Sequence, residues 1–173
     1  MKFGITLISL ALGLSSITSY ANDDKGISLG GGMFGASSSG CDFSGCSYSG
    51  QYAEIGYDIN STVSVELKYG SGDSSYSFGD TDLSIGYLGV NVGSDFGTSW
   101  FNLYGKVGVA TITEDASYYY SEYTETAPTI GIGARFFLSG EPKGLYAKIE
   151  SLAVSFQNDS IGYTFLAGVG YKF

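Results

Sequence analysis

Ile161-Gly162-Tyr163-Thr164-Phe165-Leu166-Ala167-Gly168-Val169-Gly170-Tyr171-Lys172-Phe173 is the stretch whose reading decides the fold. Ile161, Tyr163, Phe165, Ala167, Val169, Tyr171 and Phe173 fall on one face of an extended chain. Gly162, Thr164, Leu166, Gly168, Gly170 and Lys172 fall on the other. A period of two is that of a β-strand, whose successive side chains point to opposite faces. One continuous apolar face against one small or polar face suits a wall between lipid and a narrow lumen.

The other end of the sequence fits export. Residues 1–21 carry a single charge, Lys2, then an apolar or small run from Phe3 to Leu14 and a small-x-small site at Ser19-Tyr20-Ala21. This is the pattern of a cleaved signal peptide, and the apolar run is too short for a spanning helix. The barrel domain is expected over residues 22–173. Nothing in that part has the unbroken apolar length of a membrane helix. A membrane protein made from it must be a closed barrel, because only helices and closed barrels satisfy their backbone polar groups in lipid.

Twenty-seven Gly and fifteen Tyr disfavour a helical protein, and 43% hydrophobic residues is ordinary because lipid-facing positions take only every second place. Eight alternating segments are predicted: Gly26–Ala36, Ser49–Ile59, Thr62–Ser71, Thr81–Val92, Ser99–Ile112, Ala127–Leu138, Gly144–Phe156 and Ile161–Phe173. In the third, Val63, Val65, Leu67 and Tyr69 face one way, and Ser64, Glu66, Lys68 and Gly70 the other. In the fifth, Phe101, Leu103, Val107 and Val109 are expected outward, with Trp100, Asn102, Tyr104 and Lys106 inward. Thr113–Thr126 is expected to be a long acidic, tyrosine-rich loop. The fold class is an all-β, eight-stranded antiparallel up-and-down transmembrane β-barrel.

The charges test this pattern. Lys68, Lys106, Arg135, Lys148 and Lys172 all fall on inward faces, as do Glu54, Glu66 and Glu150. A charge on the lipid face costs roughly 2–4 kcal/mol at mid-bilayer, so inward placement is forced. A small lumen is filled by side chains, so these charges must pair. The sequence predicts a network of Glu54, Glu66, Lys68, Lys106, Arg135, Lys148 and Glu150, with Lys172 near the periplasmic mouth, where solvent substitutes for a partner.

Cys41 and Cys46 are the only cysteines, and in an oxidising exported compartment they are expected to form a small disulfide ring. No metal site is expected, since there is no His and Asp42 is the only nearby acid. Without His, the chain also lacks a side chain whose ordinary pKa lies near neutrality. No catalytic residue and no cofactor are expected, and the protein is read as non-enzymatic. The expected outer loops hold Asp42, Asp73, Asp80, Glu114, Asp115, Glu122, Glu125 and Asp159 and no base. Such a surface repels nucleic acid and attracts a cationic or basic protein ligand. Tyr118, Tyr119, Tyr120 and Tyr123 are either surface-contact residues, since Tyr gives large contact area at low entropy cost, or an interfacial girdle.

The leader, the eight alternating segments, the inward charges and the terminal Tyr171-Lys172-Phe173 together resemble the small outer-membrane β-barrels of the OmpA/OmpX and opacity-protein type. The resemblance covers the whole of residues 22–173 and is one of pattern. It implies residence in a Gram-negative-type outer membrane, contact with its lipid, and insertion by the barrel assembly machinery with Tyr171 and Phe173 as the signal. It also implies a monomer with a structural or adhesin-like role. A small porin-like channel and a soluble lipocalin-like periplasmic barrel are the alternatives.

Overall fold

The computed structural model describes residues 25–38, 47–76, 79–97, 99–116, 121–156 and 161–173. The strands are β1 (Gly26–Ser38), β2 (Ser47–Asp58), β3 (Val63–Tyr76), β4 (Gly79–Gly93), β5 (Phe101–Ala116), β6 (Ser121–Phe137), β7 (Gly144–Ser155) and β8 (Ile161–Lys172). Each pairs antiparallel with the next, and β1 pairs with β8 from Ser28↔Lys172 to Ser38↔Gly162, which closes the barrel. Closure leaves no edge in the lipid-facing part of the wall, as a membrane requires.

Side chains alternate as the period of two demands. Leu67, Val107, Ile132, Phe165 and Val169 are exposed on the outer face, where lipid covers them. Glu54, Glu66, Lys68, Lys106 and Lys148 are buried on the inner face. Tyr171 and Phe173 stack edge to face at 5.0 Å, and the Phe173 N–H donates to Ile27 O at 2.9 Å across the β1–β8 seam. Inside, tyrosine rings crowd against glycines of neighbouring strands. A Cβ at Gly133 would stand 2.5 Å from the Tyr104 ring, and one at Gly170 would collide with Tyr146. Those two positions admit no larger residue while the rings stay in place.

Three expectations change. Residues 113–126 are mostly strand, because β5 runs to Ala116 and β6 starts at Ser121. Polarity on both faces is not a loop signal where the strands have left the bilayer. Thr111 with Thr126 (2.9 Å) and Thr113 with Thr124 (3.0 Å) make hydroxyl pairs across this hairpin, a favourable cross-strand combination. Trp100, expected inward, is 55% exposed, since it precedes the first residue of β5 and lies in the turn. The inner face is also not polar throughout. Phe34, Tyr52, Leu83, Tyr87, Ala110, Leu152 and Leu166 form a buried apolar cluster in the outer half of the lumen.

Candidate functional site

The lumen is built in three layers. The short turns after β2, β4 and β6 and the terminal segment lie at one end, which is periplasmic in this architecture. The middle layer holds Glu54, Glu66 and Glu150 against Lys68, Lys106 and Lys148. These sit on β2, β3, β5 and β7, at positions where the strand period turns every second side chain inward. Lys68 Nζ lies 2.5 Å from Glu54, 2.7 Å from Glu150 and 3.4 Å from Glu66. Lys106 pairs with Glu66 and lies 2.5 Å from Glu150. Lys148 pairs with Glu54 and lies 3.4 Å from Glu150 and 3.6 Å from Glu66. Every lysine therefore meets at least two carboxylates, and the layer is neutral. Tyr104 donates to Glu150 at 2.8 Å, Tyr146 to Glu54 at 3.2 Å and Asn91 to Glu66 at 3.1 Å. The three carboxylates come within 4.8 Å of one another, a spacing a metal ion could use. Three ammonium groups already stand among them and match their charge.

Arg135, expected in this network, sits one layer lower. Its guanidinium meets Asp58 at 3.1 Å, and Lys172 meets the same carboxylate at 2.6 Å. Lys172 was expected to rely on solvent, but it is 1% exposed and also donates to Phe96 O at 2.8 Å. The β4–β5 turn supplies that carbonyl. Asp95 adopts a left-handed φ of 57°, which short polar side chains tolerate, and this turns Phe96 back under the barrel. Phe96 N–H donates to Ser61 O at 2.8 Å, and Asn102 Nδ2 donates to Asp95 O at 2.8 Å. Arg135 then lies over the rings of Phe96, Phe137 and Tyr146 at 5.2–5.4 Å. Sequence reading missed Asp58, placing it in a turn. The available signal was its parity with Glu54 on the same strand.

The outer half of the lumen carries small voids. One of about 30 Å3 is lined by Phe34, Tyr52, Tyr87, Leu152 and Leu166, and one of about 40 Å3 by Tyr48, Leu83, Ile112 and Val154. Each has room for about one water molecule.

Above the membrane the wall is uneven. The outward apolar positions of β5 end at Val109, and exposed Thr111 follows. The seven residues that follow Val109, as far as Ala116, carry the β5–β6 hairpin about 23 Å further along the strand direction. β6 pairs with β5 from Ser121 on, but its pairing with β7 begins only at Thr129↔Val154. Among the described residues, the stretch from Ser121 to Pro128 therefore extends beyond the β6–β7 ladder. Pro128, which lacks an N–H, stands one residue before that ladder begins. The register also aligns Asp73↔Asp82, Asp82↔Asp115 and Asp115↔Glu122, a row of acidic positions across β3 to β6. Like charges directly opposite one another on neighbouring strands destabilise a sheet.

Glu114 and Glu125, expected in a loop, are strand residues. Tyr123 is on β6 opposite Glu114 in register. Cys41, Cys46, Tyr118, Tyr119 and Tyr120 lie outside the described residues, as do residues 1–24.

A closed eight-stranded barrel with an apolar outer belt, charged filling and short turns at one end defines an integral outer-membrane protein. The chain belongs to the outer membrane protein beta-barrel domain family, whose model matches residues 7–173. Similar solved structures include Ail, the attachment invasion locus protein of Yersinia pestis, at 15% identity and a TM-score of 0.64, covering 87% of this chain and 99% of Ail. Neisserial surface protein A matches at 14% identity and a TM-score of 0.66, over 85% of this chain and 97% of that one. OprG of Pseudomonas aeruginosa matches at 15% identity and a TM-score of 0.61, over 87% and 96%. At these identities the likeness is one of fold. No curated protein matches the chain by sequence.

Proposed function

We propose that the protein is a non-enzymatic, monomeric surface-interaction barrel. It holds a projecting β-sheet outside the cell and recruits a basic, extended polypeptide. The observation that carries this reading is the β5–β6 hairpin, which runs beyond the β6–β7 ladder among the described residues and bears part of the acidic row Asp73, Asp82, Asp115 and Glu122. A hairpin that projects past its neighbours can take on a partner's extended strand, and the acidic row with the net charge of −9 favours a cationic one. Ail was solved with the heparin analogue sucrose octasulfate, a polyanion. That ligand chemistry does not suit the acidic row here. Residues 1–21 serve as the cleaved leader, Cys41 and Cys46 close a loop ring, and Tyr171 with Phe173 serve as the assembly signal. The filled middle layer argues against conduction.

Two measurements on refolded barrels in lipid nanodiscs and planar bilayers test the reading. A lysine-rich extended peptide is expected to bind wild-type nanodiscs. It should not bind a variant whose hairpin is shortened by joining Thr111 to Thr126. Equal binding to both, or sustained single-channel openings of the wild type, would sink the proposal.

A further inference from the structure

The middle of the β1–β8 seam carries no side chain on its inner face. Gly30 and Gly32 are consecutive inward positions of β1, and they stand opposite Gly170 and Gly168 of β8. The side chains that fill this place come from the strands on either side of the seam pair. Tyr52 of β2 stands opposite Gly32, and a Cβ on Gly168 would collide with its hydroxyl, so the ring passes over β1 to β8. Tyr146 of β7 stands opposite Gly170, and its hydroxyl reaches β1, 3.1 Å from where a Cβ on Gly30 would be. The two rings thus cross the seam from opposite sides. Between them Glu54 of β2 accepts from Tyr146 at 3.2 Å and pairs with Lys148 of β7. At the periplasmic end Asp58, again on β2, meets Lys172 of β8 across β1. Strands β2 and β7 share no ladder, yet they are joined over the seam, and the glycines between them are the space in which they meet.

The seam strands alone do not fix their offset. A slip of one residue would turn the lipid face of β8 inward, which the membrane forbids. A slip of two returns every side chain to its own face, because the strand period is two. Gly30, Gly32, Gly168 and Gly170 would slide past one another with no side chain to resist. The side chains that such a slip disturbs are those that reach over the seam, since each would face a position about 6.6 Å from its present partner. We propose that β1 and β8 supply the ladder, and that Tyr52, Glu54 and Tyr146, meeting across this glycine spacer, select the one register in which the barrel closes.

The test uses the whole refolded barrel carrying Cys41→Ser and Cys46→Ser, with one pair of cysteines added on the lipid face. Met33→Cys with Ala167→Cys marks the native register, in which the two positions are partners. Met33→Cys with Phe165→Cys, or with Val169→Cys, marks a slip of two. A disulfide needs Cα atoms within about 7 Å, and the offset pairs lie beyond that reach in the native register. After mild oxidation, mass spectrometry of the linked peptides counts each pair, and heat-modifiable migration on gels checks that the barrel has closed. With both rings present, the native pair is expected to link about tenfold more than either offset pair. Tyr52→Leu combined with Tyr146→Leu should raise an offset pair about tenfold, and Tyr52→Leu alone about threefold, as independent contributions would. Tyr104→Leu removes a ring that lies against Gly133, away from the seam, and should leave the ratio as it was. Offset pairs that link as well as the native one with both rings present overturn the proposal. So does an unchanged ratio in either closed tyrosine variant, a Tyr52→Leu barrel that does not close, or an equal rise in Tyr104→Leu.

Discussion

The periplasmic and outer halves of the lumen are filled by opposite chemistry. In the lower half, four carboxylates and five cations leave almost no exposed surface and each has a partner of opposite charge. In the outer half, Phe34, Leu83, Leu152 and Leu166 pack with small voids beside them. The contrast separates two ways of closing a barrel. An apolar filling loses stability in proportion to the volume removed. A charged filling is intolerant, because removing one member strands another in low dielectric.

The largest expected effect comes from breaking the charged half. Glu150→Gln removes a carboxylate shared by Lys68, Lys106 and Lys148, and should cost about 3–5 kcal/mol of unfolding free energy. Urea unfolding in detergent, followed through the single tryptophan, Trp100, reads it. A loss below that of a leucine truncation would show that water enters the layer. Asp58→Asn should rank next at about 3 kcal/mol, since it leaves Arg135 and Lys172 without their shared anion. In the apolar half, Leu152→Ala should cost about 2 kcal/mol, the low end for such a truncation, because adjoining space already lets neighbours relax. The same denaturation series ranks the three. The smallest change belongs to the projecting hairpin: Thr124→Ala loses one exposed hydroxyl pair and should shift stability by about 0.5 kcal/mol or less. Hydrogen exchange of β5 and β6 amides above Val109 should report it before global unfolding does.

The barrel was legible where lipid selects residues. β3 and β8 repeat the period of two cleanly because one face must be apolar, and a charge such as Lys106 can only turn inward. Legibility failed where that selection stops. Above Val109 the outer face of β5 and β6 meets water and no longer has to be apolar, so strand and loop compositions converge and the projecting hairpin was missed. Inside the lumen, Leu83 faces neither lipid nor charge, and its apolar character gave no clue to its side, whereas the parity of Leu166 with Lys172 did place it inward. Asp58 looked like a turn residue beside Asn60 and Ser61, although its parity with Glu54 pointed inward. Phe96 sits in a Gly-Ser-Asp-Phe-Gly run that signals a turn, and nothing local says that the turn folds back beneath the barrel. The charged residues were readable one by one, but their division into a middle layer and a lower triad depends on strand tilt, which composition does not encode.

The lower triad has a consequence for the order in which the molecule is made. Asp58 belongs to the second strand, Arg135 to the sixth, Lys172 to the eighth, and the carbonyl of Phe96 to the turn between the fourth and fifth. A nascent wall that still lacks its last strand leaves that carbonyl without its ammonium donor and Asp58 with one cation in place of two. Sealing the seam and latching the periplasmic floor are therefore a single event, and the final residue but one works as a bolt that slides home only when the ring is complete.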